Sequence, residues 1–144
     1  MKITAVDPGL MSGVAFFDSE TERFESSDQS TWDALRAVDV SILIEGLDLV
    51  VCESFVPRPG VRTWQPQALE SIGALRFLCM QSRVDFELQS PAEAKSFSSN
   101  EKLKKIGWYR TTPGGHANDA ARHLLVAAVR HNILDPSVFL GTDG

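Results

Sequence analysis

The run DLVVCES, residues 48–54, is apolar almost throughout and is closed by a carboxylate at Glu53. A short strand with apolar side chains on both faces belongs in a sheet covered on both sides, and such sheets are built with helical crossovers. The chain around it supplies the other pieces. KITAVDPG alternates and ends in a Pro-Gly turn, SGVAFFD reads as a second strand, and ERFES as a short third strand after an acidic turn. Ser30 or Thr31 caps a helix running to about Glu45, with Trp32, Leu35, Val38 and Ile42 at helical spacing. FVPRPGVRTWQP is a loop punctuated by Pro57, Pro59, Gly60 and Pro66. A helix then covers Gln67 to Ser82, VDFELQ gives a fifth strand, PAEAKSF and NEKLKKIGW give two short helices, and His116 to His131 forms the longest apolar-faced helix. Three strands, helix, strand, helix, strand, helices predict an α/β fold, and 144 residues without internal repeats predict a single domain over 1–144.

Several classes are excluded by what the chain lacks. MKITAVDPG has no long apolar run of the signal-peptide kind, and no stretch of about 18 apolar residues suggests a membrane span, so a cytoplasmic protein is expected. Cys52 and Cys79 lie among apolar neighbours and read as buried reduced thiols, not as a disulfide framework. The net charge of −5 hides a gradient: residues 1–53 hold 3 Lys/Arg against 11 Asp/Glu, whereas residues 94–131 hold 7 against 2. A basic segment on an acidic chain fits a phosphate-binding face, and it equally fits a solvated helix surface.

Acids fall at informative places. Asp7 ends the first strand before Pro8-Gly9, where a turn-forming role would suffice. Glu53 ends the apolar strand, where a charge is costly to bury unless it is paired or holds a metal. Asp119 opens the last helix, with His116 three residues earlier on the same face. Convergence of Asp7, Glu53, Asp119 and His116 would make a site for a divalent cation pair. An oxygen-rich set suits Mg²⁺ or Mn²⁺ better than Zn²⁺, and such a pair serves phosphodiester hydrolysis. Separations of 46 and 66 positions between the acids leave that convergence to the fold.

These residues carry a resemblance. ITAVDPGLMSGVAFFD is similar to the opening DPG hairpin of the RuvC-type Holliday junction resolvases, members of the RNase H-like superfamily. VVCESF resembles their second acidic strand, ALESIGALRFLC the helix that follows, and HANDAARHLLVAAVRH their C-terminal catalytic helix. The match covers nearly the whole chain in the same order. It implies an RNase H-like fold with a five-stranded mixed sheet, three antiparallel opening strands then two parallel, and helices on both faces. It also implies a homodimeric endonuclease using two Mg²⁺ or Mn²⁺ ions per site. The expected reaction is paired nicking of four-way junctions, with forks and flaps as further branched DNA substrates, leaving 5′-phosphate and 3′-hydroxyl ends. Carried over residue by residue, the metal-binding acids fall on Asp7, Glu53 and Asp119, with His116 at a fourth position that is aspartate in some members and histidine in others. The compactness and the acidic N-terminal half suggest a phage-type or otherwise divergent member.

The resemblance extends to Lys95 and Lys102, implied near the scissile phosphate, while Lys104 and Lys105 serve equally as backbone contacts or as solubilising charges. Phe55 lies near, though not at the same offset as, an aromatic that stacks into the junction in the family. Arg58, Arg62 and Trp64 on the Pro-rich loop offer phosphate contacts and stacking instead. His123, one turn beyond Asp119, is expected either to orient that carboxylate or to be a structural histidine. The 67–82 helix is apolar on more than one side, through Leu69, Ile72, Leu75, Leu78 and Met80; internal burial and a two-fold interface both account for this, and the resemblance favours the dimer. Three other readings stand beside the resolvase. One is a RuvC-like pre-ribosomal RNA processing nuclease, and another a branched-DNA binder that does not cut. The third, a nucleotide-binding protein of the actin and sugar-kinase type, needs paired lobes that 144 residues cannot hold, so no nucleotide cofactor is expected.

Overall fold

A computed structural model describes residues 1–55, 66–111 and 114–140. The chain runs β1 (Lys2–Asp7), β2 (Met11–Asp18), β3 (Arg23–Ser30), α1 (Thr31–Glu45), β4 (Leu49–Glu53), α2 (Pro66–Ser82), β5 (Asp85–Gln89), α3 (Pro91–Phe97), α4 (Asn100–Lys105), α5 (His116–Arg130) and α6 (Ser137–Leu140). The strands form one sheet in the order β3-β2-β1-β4-β5. β1, β2 and β3 are antiparallel, and β4 and β5 run parallel to β1. This is the mixed sheet expected from the sequence.

Alternation divides the sheet into two faces. Ile3, Ala5, Ala15, Phe17, Leu49 and Val51 join the core beneath α5, together with Leu124, Leu125 and Ala128. Val6, Phe16, Val50 and Cys52 join the other core, with Val38 of α1 and Leu75 and Cys79 of α2. Helices therefore cover both faces, and Leu49–Cys52 contributes to both cores, which is why that strand is apolar throughout. Both cysteines are free and buried.

The structure corrects two sequence expectations here. β3 is not the short ERFES segment but eight residues long, paired with β2 from Arg23 opposite Asp18 to Ser30 opposite Met11. Ladder hydrogen bonds, which need no apolar side chains, carry this edge strand through SSDQS. On α1, Trp32 lies away from the core, 73% exposed, and Thr31, Ala34 and Val38 are the buried residues. Ser30 is the cap, its hydroxyl accepting from the Asp33 amide, and α1 packs through Thr31, Ala34 and Val38, which leaves Trp32 on the outer side.

The seating of α5 depends on Gly13, which faces Asp7 across the β1–β2 ladder. A Cβ at Gly13 would stand 1.8 Å from the His116 carbonyl oxygen, so the first turn of α5 lies against bare backbone. The helix start at Gly115 has no side-chain cap of its own. Asp28 of β3 replaces it, accepting from the Ala117 amide at 2.7 Å. Asn118 then fastens the preceding segment, donating to the Arg110 carbonyl at 2.7 Å and accepting from the Arg110 amide at 2.8 Å. Gly13→Ala is expected to cost roughly 1–3 kcal/mol of stability in urea unfolding, because the helix must lift off the sheet to admit one methyl group. A conservative alanine at Gly73, where a Cβ meets nothing within 4 Å, provides the control.

Candidate metal centre

β1 and β4 are parallel neighbours, so their C-terminal ends bring Asp7 and Glu53 to the same edge of the sheet, both on the α5 face. The first turn of α5, set down beside Gly13, adds His116 and Asp119. The result is a cavity of about 520 Å³ lined by Asp7, Glu53, His116 and Asp119, with Pro8 to Met11, Ser54, Phe55, Gln67 and Ala68 around them. Ligand atoms of Asp7, His116 and Asp119 lie within 4.8 Å of one another. His116 Nδ1 is 3.4 Å from Asp7 Oδ2. Glu53 lines the same cavity but stands outside this tight triad, its Oε2 2.7 Å from His123 Nε2.

Electrostatics set this site apart. Burial pushes the Asp7 carboxyl up to about 7, and the negative charges of Glu53 and Asp119 push in the same direction, against a smaller opposing effect of His116. Three carboxylates around one cavity repel one another, and a divalent cation is the group that would relieve them. Oxygen donors with one imidazole suit Mg²⁺ or Mn²⁺, so the side chains present fit the ions expected from the sequence. The nearby Cys52 thiol is pushed up by burial and by Asp7 and Glu53, which keeps it protonated and inert.

Two of the three acids are held from behind. Arg122 donates to Asp119 Oδ1 at 2.8 Å, and its other Nη reaches Asn100. His123 does not orient Asp119, as one sequence expectation had it; it lies 1% exposed against Glu53 and Gln89. The cause is helical phase: Arg122, three residues beyond Asp119, takes the position beside that carboxylate, and His123 turns over the ends of β4 and β5. Asp28, Gln89 and Arg122 escaped the sequence reading because each acts through a neighbour distant in the chain or through a surface-type side chain. Gly13 did carry a signal, since an isolated glycine within a strand marks close backbone approach.

The basic residues are more dispersed in their engagements. Lys95 on α3 and Lys104 and Lys105 on α4 are exposed, with Lys104 Nζ 4.7 Å above the Tyr109 ring. Lys102 instead spends its ammonium within the fold: it donates to the Phe97 carbonyl at 2.6 Å and sits over the rings of Phe97 and Phe139. Phe55 lines the cavity beside Glu53. Arg58, Arg62 and Trp64 lie outside the described residues.

No protein-family model and no curated protein matches the chain. Solved structures do. The RuvC of T. thermophilus in complex with a Holliday junction substrate matches with a TM-score of 0.68 at 16% identity, over 92% of this chain and 96% of that one. Thermus thermophilus RuvC in a second structure gives 0.63 at 14% identity, over 92% and 98%. The fowlpox virus resolvase, in complex with Holliday junction DNA, gives 0.53 at 18% identity, over 92% and 99%. The fold is the RNase H-like fold of the RuvC-type resolvases.

The raised Asp7 carboxyl has a consequence for stability. Without metal, folding favours the protonated form, so its contribution is full below the unfolded value near 4 and is lost as pH rises through about 7. Replacing Asp7 by Asn removes that loss. In EDTA, the stability advantage of Asp7→Asn over wild type is expected to grow by on the order of 3 kcal/mol between pH 5 and pH 8 in urea unfolding. Saturating Mg²⁺ or Mn²⁺ at pH 8 is expected to stabilise wild type and leave Asp7→Asn nearly unchanged.

Proposed function

We propose that the protein is a metal-dependent endonuclease that cuts four-way DNA junctions. The carrying observation is the meeting of Asp7, His116 and Asp119 within 4.8 Å, with Glu53 in the same cavity, at the strand ends of an RNase H-like sheet. The likeness to the T. thermophilus and fowlpox virus proteins, both solved with Holliday junction DNA, supports the choice of branched DNA as substrate.

In this reading Asp7, Glu53, Asp119 and His116 would hold the divalent cations. Bound Mg²⁺ or Mn²⁺ supplies the positive charge and water activation that phosphodiester hydrolysis requires. The residues of the chain do the positioning. Asp7, deep in the cavity, fixes the site relative to the rigid β1–β2 hairpin, and α5 sets His116 and Asp119 at a constant spacing. Lys95, Lys104 and Lys105 hold phosphates of the bound arms, while Phe55 at the cavity wall offers a ring to an unpaired base. Water attacking the scissile phosphorus in line would break the P–O3′ bond, and with a proton taken up by the departing 3′ oxygen the products would be a 5′-phosphate and a 3′-hydroxyl. Two nicks at symmetry-related strands need two sites, and exposed Leu69, Phe77 and Met80 on α2 offer an apolar face for a second copy.

End-labelled four-way junctions, splayed forks, linear duplex and structured RNA, incubated with Mg²⁺, Mn²⁺ or EDTA, test this. Symmetric cuts near the crossover are expected with either metal. EDTA, Asp7→Asn and Asp119→Asn are each expected to reduce them by a factor of at least about 10³, the scale of a lost catalytic ligand. Junction binding without cleavage would instead assign an architectural role, and cleavage of RNA alone a processing nuclease.

A further inference from the structure

His123 belongs to the face of α5 that packs on the sheet, where its neighbours Leu124, Ala127 and Ala128 are apolar and fully buried. Beneath it, Glu53 and Gln89 stand opposite each other at the ends of β4 and β5. His123 Nε2 lies 2.7 Å from Glu53 Oε2, and Nδ1 lies 3.0 Å from Gln89 Oε1. Gln89 is itself 2% exposed, and its Nε2 has no hydrogen-bond partner among the described residues.

From this arrangement we infer that His123, braced by Gln89, is a positioning residue that presents the Glu53 carboxylate to a divalent cation. The inference rests on reading Asp7, Glu53, His116 and Asp119 as a metal centre. The two ring nitrogens face Glu53 and Gln89, and the Gln89 amide can turn either its oxygen or its Nε2 towards Nδ1. In both arrangements Nε2–H donates to Glu53 Oε2. That bond fixes one carboxylate oxygen and leaves Oε1 as the oxygen available to the cation.

An apolar pair of the same volume would fill this part of the core without desolvating an imidazole and an amide. The polar pair is retained at a cost in stability, and the task open to it is holding a carboxylate that ends a strand and, among the described residues, is met by His123. His123 also lies one helical turn from Asp119, so the same helix that carries one acid of the site fixes the orientation of another.

His123→Phe keeps the ring and removes the donor, whereas His123→Gln restores an N–H near the position of Nε2. Binding of Mn²⁺ to the full chain is read by calorimetry, and junction cleavage is read across Mn²⁺ concentrations. His123→Phe is expected to weaken Mn²⁺ binding ten- to a hundredfold, to lose more cleavage at low than at saturating Mn²⁺, and His123→Gln to recover most of the affinity. If His123→Phe does not fold, the paired substitution Gln89→Leu with His123→Phe, which leaves no orphaned amide, carries the same comparison. Mn²⁺ affinity within twofold of wild type in a folded His123→Phe chain, with or without Gln89→Leu, overturns the inference, as does a wild-type chain that binds no Mn²⁺. A wild-type chain that binds Mn²⁺ but cuts no branched DNA sinks the nuclease reading alone, and the affinity comparison still decides the role of His123.

Discussion

The close approach of α5 to the β1–β2 ladder at Gly13 sets everything else in the site. A helix normally rests on a sheet through a layer of side chains. At Gly13 that layer lacks a side chain, and the His116 carbonyl occupies its place. Because Gly13 faces Asp7 in the ladder, the helix end lands beside the carboxylate of β1. The polar first turn of α5 is thereby brought into the low-dielectric edge of the core, while its later turns bury Leu124, Leu125 and Ala128.

That landing creates an electrostatic cost that the fold distributes over specific partners. Asp119 is neutralised from one side by Arg122, Glu53 receives His123, and Asp28 satisfies the helix amide at Ala117. Among the described residues Asp7 has only His116, at 3.4 Å, and burial and the neighbouring carboxylates raise its carboxyl. A cluster tied down around its rim and under-compensated at its centre is suited to receive a cation, since the rim fixes geometry and the centre supplies the driving force.

The edges of the sheet are handled differently on the two sides. β3, polar through SSDQS, uses Asp28 to cap a helix that begins nearly ninety residues later. β5, only five residues long, is fastened to α5 by His123 on Gln89 and by His131 on Glu87, 2.8 Å apart. Both edge strands thus contribute polar side chains to α5, and the site lies between these two attachments.

The order of elements, the doubly covered β4 and the identity of the four candidate ligands were legible in the sequence, because each leaves a local trace: a period, an apolar run, or a charge where a charge is costly. The third strand and the outward turn of Trp32 were not, since a ladder imposes length on polar residues and helical phase is set by what the helix packs against. The role of His123 turned on the same phase, which assigned Asp119 to Arg122 and Glu53 to the histidine. The sequence by itself singled out the side chains that are candidates for chemistry. Only the tertiary structure decided which of them meet, because residues 7, 53, 89 and 123 are joined by strand register and by the depth at which one helix rests, and neither is written in any local stretch of chain.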